Sequence, residues 1–185
     1  MDRLAPRLVI PFVIFHHRHT CGKCIHVARN PRVTDTVDAD IENIVLASIR
    51  RHSMGMDRWR QTTVGSMQQQ LQGIVQLEDE ERPLVSYFAS NASWYVITKR
   101  RVLGAACEQT YIIPAHHIIE SRFGNFKGHG DIASEIMLLI LDDGRRVELE
   151  YETGNASMAV IYGIDVLRRK LASVRRRMQG AATNV

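Results

Sequence analysis

The fold turns on the stretch Ser93-Trp94-Tyr95-Val96-Ile97-Thr98-Lys99-Arg100-Arg101-Val102-Leu103-Gly104-Ala105. A run rich in aromatic and β-branched residues, a short polar turn and a second, apolar run make the pattern of two strands folded against each other. The same period continues on both sides. Upstream, Leu84 to Ser90 forms a run that Asn91 and Ala92 turn back. Downstream come Thr110 to Ile113, ending at Pro114, then His117 to Phe123, Ile132 to Leu141, the turn Asp142-Asp143-Gly144, and Arg145 to Tyr151. Asp-Gly between apolar runs marks a hairpin, because both residues tolerate positive φ. A helix is predicted last, from about Asn155 to Met178, capped by Asn155 or Ser157. Its stripe of Val160, Ile161, Ile164, Leu167, Leu171 and Val174 needs an apolar surface to cover, and an open antiparallel sheet supplies one.

Before Pro83 the period is helical. A helix is predicted from about Val37 to His52, capped by Asp38 or Asp40 and buried along Ile41, Ile44, Val45, Ser48 and Ile49. Arg50, Arg51 and His52 favour the negative end of its dipole, and Gly55 stops it. A second helix from about Thr62 to Leu77 would align Val64, Met67, Leu71, Ile74 and Val75, although Gly65 and Gly73 each cost about 1 kcal/mol there. Glu78 to Glu81, followed by Pro83, reads as a boundary. The expected division is an irregular arm over 1–35, either disordered or preceding a later start at Met54 or Met56, a helical region over 36–80, a sheet domain over 84–178 and a tail over 179–185.

The order of these elements carries a family resemblance. Trp94 to Leu103 resembles the strand, threonine-polar-arginine-arginine turn and strand of bacterial pleckstrin-homology (PH) and GRAM-type domains. Ile112 to Pro114 with Ile118 and Ile119 is similar to that family's isoleucine-proline step. Leu138 to Leu149, around Asp142-Asp143-Gly144, is similar to its later hairpin. The resemblance covers about half the chain and implies an α+β fold: a PH-like bent antiparallel β-sheet or barrel with a C-terminal capping helix, preceded by a small helical N-terminal region. The family's best-known activity is phosphoinositide binding, which this chain argues against. Lipid-binding members place Lys and Arg around the first hairpin, whereas Ser90-Asn91-Ala92-Ser93 carries no charge, and a headgroup needs several converging donors.

Charge is localised. Residues 84–185 hold thirteen basic and ten acidic side chains; without Arg168, Arg169, Lys170, Arg175, Arg176 and Arg177 the balance is seven against ten. The sheet body is therefore not basic, and the positive field belongs to one helix end. These six residues are the candidate anion-binding group, able to touch nucleic acid or an anionic membrane in a salt-dependent way. The bland reading is a solvated helix terminus whose cations satisfy the dipole.

His19, Cys21, Cys24 and His26 are the candidate metal ligands, since Cys-x-x-Cys with histidine is a zinc ligand set. Their crowding argues against a complete site, because zinc motifs separate ligand pairs by a dozen residues or so; Cys107, His116 or His117 could supply the remainder. His116 and His117, adjacent after a proline, point to opposite faces if they lie on a strand and so read as a turn or edge position. Glu148, Glu150 and Glu152 read as one solvent face of a strand. No nucleophile elbow, phosphate loop or cofactor motif occurs. Leu8 to Phe15, broken by Pro11, is short for a signal sequence, and three cysteines cannot form a full disulfide framework, so a cytoplasmic location is expected. The expectation is a binding module that is not an enzyme, has no cofactor, and takes a protein or another copy of itself as partner.

Overall fold

The computed structural model describes residues 31–128 and 133–182, the side chains of 31–39, 178 and 180–182 excepted. The chain is α+β, with a bent antiparallel sheet rather than a closed barrel. Five strands form one sheet in sequence order: β1 (Thr62–Val64), β2 (Pro83–Ser90), β3 (Ser93–Thr98), β4 (Arg101–Ala106) and β5 (Gln109–Pro114). A 3-10 turn over Ala115–His117 leads into a second sheet of β6 (Ile118–Phe123), β7 (Ser134–Leu141) and β8 (Arg146–Glu152). Every pairing is antiparallel. The Asp-Gly turn forms as expected: Gly144 sits at φ +83° and donates its N–H to Leu141.

The inner faces of the two sheets meet in one core. Tyr87, Tyr95, Ile97 and Val102 face Met137, Leu139, Leu149 and Tyr151 there. Helix α2 (Ser157–Ala182) lays Val160, Ile164 and Leu167 into this core, while Ile161, Leu171 and Val174 pack partly buried beside them, as the stripe requires. Helix α1 (Pro31–His52) runs against α2, burying Ile41, Val45 and Ile49; His52 stacks on Tyr162 with ring centroids 3.8 Å apart.

Several expectations are corrected. Helix α1 begins at Pro31 rather than Val37, where a first-turn proline gives up no helical hydrogen bond. Ile44, expected in the buried stripe, is 40% exposed. Neither Asn155 nor Ser157 caps α2. A 3-10 turn over Gly154–Ala156 enters it, and the buried Ser157 hydroxyl donates to the Gly154 carbonyl at 2.6 Å.

The largest correction concerns 62–77, which is not a helix. Thr62–Val64 is a strand that pairs with β2, and Gly65, at φ +74°, turns the chain away. Beyond that glycine the chain forms a flap with one 3-10 turn, Gln69–Leu71. Leu71 and Val75 cover the outer face of the five-stranded sheet and bury Trp94, Val96, Leu103 and Ala105. That explains why β3 is buried at successive rather than alternate positions.

Glu81, the last residue of the acidic run read as a boundary, has a structural role of its own. Its side chain is fully buried. The carboxylate accepts the Thr98 hydroxyl at 2.6 Å, the Glu78 N–H at 3.0 Å, and the Arg101 guanidinium through Nε at 3.0 and 3.2 Å and Nη2 at 2.7 Å. Burial pushes its pKa up, but these donors outweigh burial and hold it below the ordinary carboxylate value. The network ties the loop before β2 to the β3-β4 turn.

A cationic groove between strand β6 and helix α2

Arg168, Leu171, Ala172 and Arg175 recur at intervals of three and four residues, so α2 presents them on one face. Opposite lies the start of β6. The register of β6 on β7 slips between Ile118 and Glu120, leaving Ile119 as an extra, bulged residue. Bulges re-aim side chain and carbonyl. Here the Ile119 side chain is 53% exposed and its carbonyl accepts a hydrogen bond from Nη1 of Arg168. The outcome is a cavity of about 360 Å³, floored by Ile118, Ile119, Leu171 and Ala172 and edged by His116, Arg168, Arg175 and Arg176. A second cavity of about 320 Å³ adjoins it through His116 and Leu171, adding Lys99, Arg100 and Ile41. Among the described residues lining these two cavities none is acidic.

Asp165 moderates the field from one side, reaching Arg169 at 2.5 Å and Arg168 at 3.5 Å. Arg100 meets Glu78 at 3.5 Å, an exposed pair of small energetic weight. His116 feels its surroundings: burial first, then His117 and Arg175, hold its imidazole below the ordinary value, with Asp142 pulling the other way.

The six basic residues singled out by sequence thus divide. Arg168, Arg169, Arg175 and Arg176 line the groove. Lys170 lies round the helix, where it and Arg169 join Arg51, Ser48 and Ile44 along a broader furrow between α1 and α2. Arg177 lines none of these cavities. Lys99, Arg100, His116, Ile118 and Ile119 were not expected at this site. They lie about forty to sixty residues upstream of the start of α2, so no local spacing signals them.

His116 and His117 occupy the 3-10 turn, not a strand, and their rings sit 4.3 Å apart. Nδ1 of His117 meets Asp142 at 2.7 Å, and the Asp142 N–H donates to the His117 carbonyl, a double tie that fixes the entry to β6. Glu150 and Glu152 also have structural duties. Glu150 accepts the hydroxyls of Ser93 and Ser134, both at 2.5 Å, so a carboxylate rather than a cation stands at the β2-β3 hairpin. Glu152 accepts the N–H groups of Arg60 and Gln61 at 2.9 and 3.0 Å. His19, Cys21, Cys24 and His26 lie outside the described residues. Among the described residues no three His, Cys, Asp or Glu side chains converge as metal ligands, and no helix is long and apolar enough to cross a membrane. Neither a protein-family model nor a curated protein matches the chain.

Proposed function

We propose that the chain is a PH-like, non-catalytic binding module whose groove between β6 and α2 holds an acidic, partly apolar protein segment. One observation carries this reading: the side chains of Ile119 and Leu171 lie in a cavity edged by Arg168, Arg175, Arg176 and His116, with no acidic residue in its lining. Among the described residues β6 pairs with β7 alone, and its first residues, Ile118 and Ile119, line the groove. Carboxylates of such a segment would be directed to Arg175 and Arg176, with apolar contact on Ile119 and Leu171. An apolar floor favours a protein ligand over single-stranded nucleic acid, which would call for stacking aromatics, and its recessed position favours a narrow segment over the surface of an anionic membrane.

Fluorescence anisotropy with labelled peptides tests this. A short alternating Glu-Val peptide should bind with affinity that falls as salt rises, a Lys-Val peptide should not bind, and Arg175→Glu/Arg176→Glu should abolish the signal. Equal binding of both peptides, or binding untouched by the double substitution, would refute the proposal. So would stronger competition by single-stranded RNA or phosphatidylserine vesicles than by the Glu-Val peptide, since either ligand would then own the site.

A further inference from the structure

We infer that the acidic segment is the chain's own loop, Glu78-Asp79-Glu80, presented by a second copy, so that two copies close around a two-fold axis. The inference rests on the groove reading above and names its occupant. The loop is the densest run of carboxylates in the chain, and all three residues are exposed. It is also held in shape. Glu81 anchors its end to Thr98 and Arg101, the Glu78 N–H is taken by that same carboxylate, and Glu80 turns outward at φ +63°. A segment whose shape is already restrained loses little freedom on docking.

Position makes the loop more than a generic acidic patch. Glu78 lies 3.5 Å from Arg100 and 3.2 Å from Arg101, and Arg100 lines the cavity that continues through His116 and Leu171 into the groove. Acidic and cationic halves therefore sit side by side on one face, with Arg100 at their border. An isologous interface needs a patch complementary to itself after a half-turn, and two adjacent halves of opposite charge meet that condition. The loop of each copy then lies on Arg175 and Arg176 of the other, and the exposed Ile119 side chains are covered between them.

Analytical ultracentrifugation of the full chain tests this with two charge reversals. Wild-type chain should sediment as a dimer and dissociate with salt. Arg175→Glu/Arg176→Glu makes both halves acidic, Asp79→Lys/Glu80→Lys makes both basic, and each variant alone should be a monomer, its self-affinity weakened by about tenfold or more. Mixed in equal amounts, the two variants should form a dimer, because every contact is again between opposite charges. A misfolded variant could not be rescued in this way, so the mixture also controls for folding. A monomeric wild type that still binds the Glu-Val peptide would overturn the second-copy inference and leave the groove reading in place. If the peptide also fails to bind, both fall. Monomers in the mixture, or dimers of either variant alone, would overturn the charge pairing; open-ended oligomers would overturn the two-fold closure.

Discussion

Replacing Glu81 with Gln changes one atom type at the hub of a buried network, and the geometry sets its cost. Thr98 and Nε of Arg101 donate to one carboxylate oxygen, while the Glu78 N–H and Nη2 of Arg101 donate to the other. A Gln amide has a single oxygen, so in either orientation its NH2 group faces two donors. Each buried donor left without an acceptor costs about 1–3 kcal/mol. Breaking a fully buried ion pair costs more, but Arg101 keeps Glu78 at 3.2 Å and is 18% exposed, which places the total near the low end, about 2–3 kcal/mol. For a chain of this size that lowers Tm by roughly 5–10 °C. The dependence on pH has a definite sign. Because the folded-state pKa of Glu81 lies below its ordinary 4.5, its contribution is complete above that value and is lost as pH falls through the folded-state value. Guanidinium denaturation of both proteins should therefore show a gap that is constant near neutrality and closes in acid, where the wild-type side chain is itself protonated. A gap below about 0.5 kcal/mol at neutral pH, or one that persists unchanged into strong acid, would refute the account.

Gly104→Val should destabilise by about 1–3 kcal/mol in thermal denaturation, since even a Cβ there would lie 3.1 Å from the Trp94 carbonyl oxygen, 3.2 Å from Leu149 and 3.3 Å from Tyr95. Burial raises the pKa of Tyr95 and Tyr87 well above the ordinary value and that of Tyr151 up to about 12. Their contribution to stability is whole below an unfolded-state pKa of about 10 and is lost as pH climbs towards the folded-state values, so tyrosinate absorbance from these three should emerge with unfolding; smooth ionisation in the native state would disprove it. In the groove, His116 gains its proton below its ordinary pKa of 6.5, so affinity for the Glu-Val peptide should rise as pH falls, and His116→Gln should flatten that rise.

The sheet was legible because Trp94 to Ile97 combines aromatic and β-branched residues, Val102 to Ala105 carries no charge, and Asp143-Gly144 supplies turn chemistry. The flap was not. Val64, Met67, Leu71, Ile74 and Val75 fit a helical stripe, and only the uncovered outer face of β3 and β4 decides that Leu71 and Val75 fold onto it instead. Glu81 misled for a similar reason. An acidic run reads as solvated until Thr98 and Arg101, brought close by the β2-β3 pairing, bury one of its members. Of the groove, the arginines on α2 were visible as charge. The wall opposite them depends on the Ile119 bulge, which shows only in the register of β6 on β7.

The flap over β3 and β4 divides the molecule's cohesion in two. Most of the described residues are secured by paired backbone or by packing in the central core, but residues 66–77 are held by Leu71 and Val75 on the sheet with Met67 and Leu77 beside them, by the Gln68 side-chain amide donating to the Gln61 carbonyl, and by the Ser86 hydroxyl, which receives the Gln68 N–H at 3.3 Å and donates to the Ser66 carbonyl at 3.1 Å. Such an attachment can let go while every strand stays paired, a partial opening with its own, smaller free energy. Trp94, 6% exposed beneath the flap, would be wetted by that event, so with Trp59→Phe as background its emission reports the flap lifting apart from the melting of the sheet.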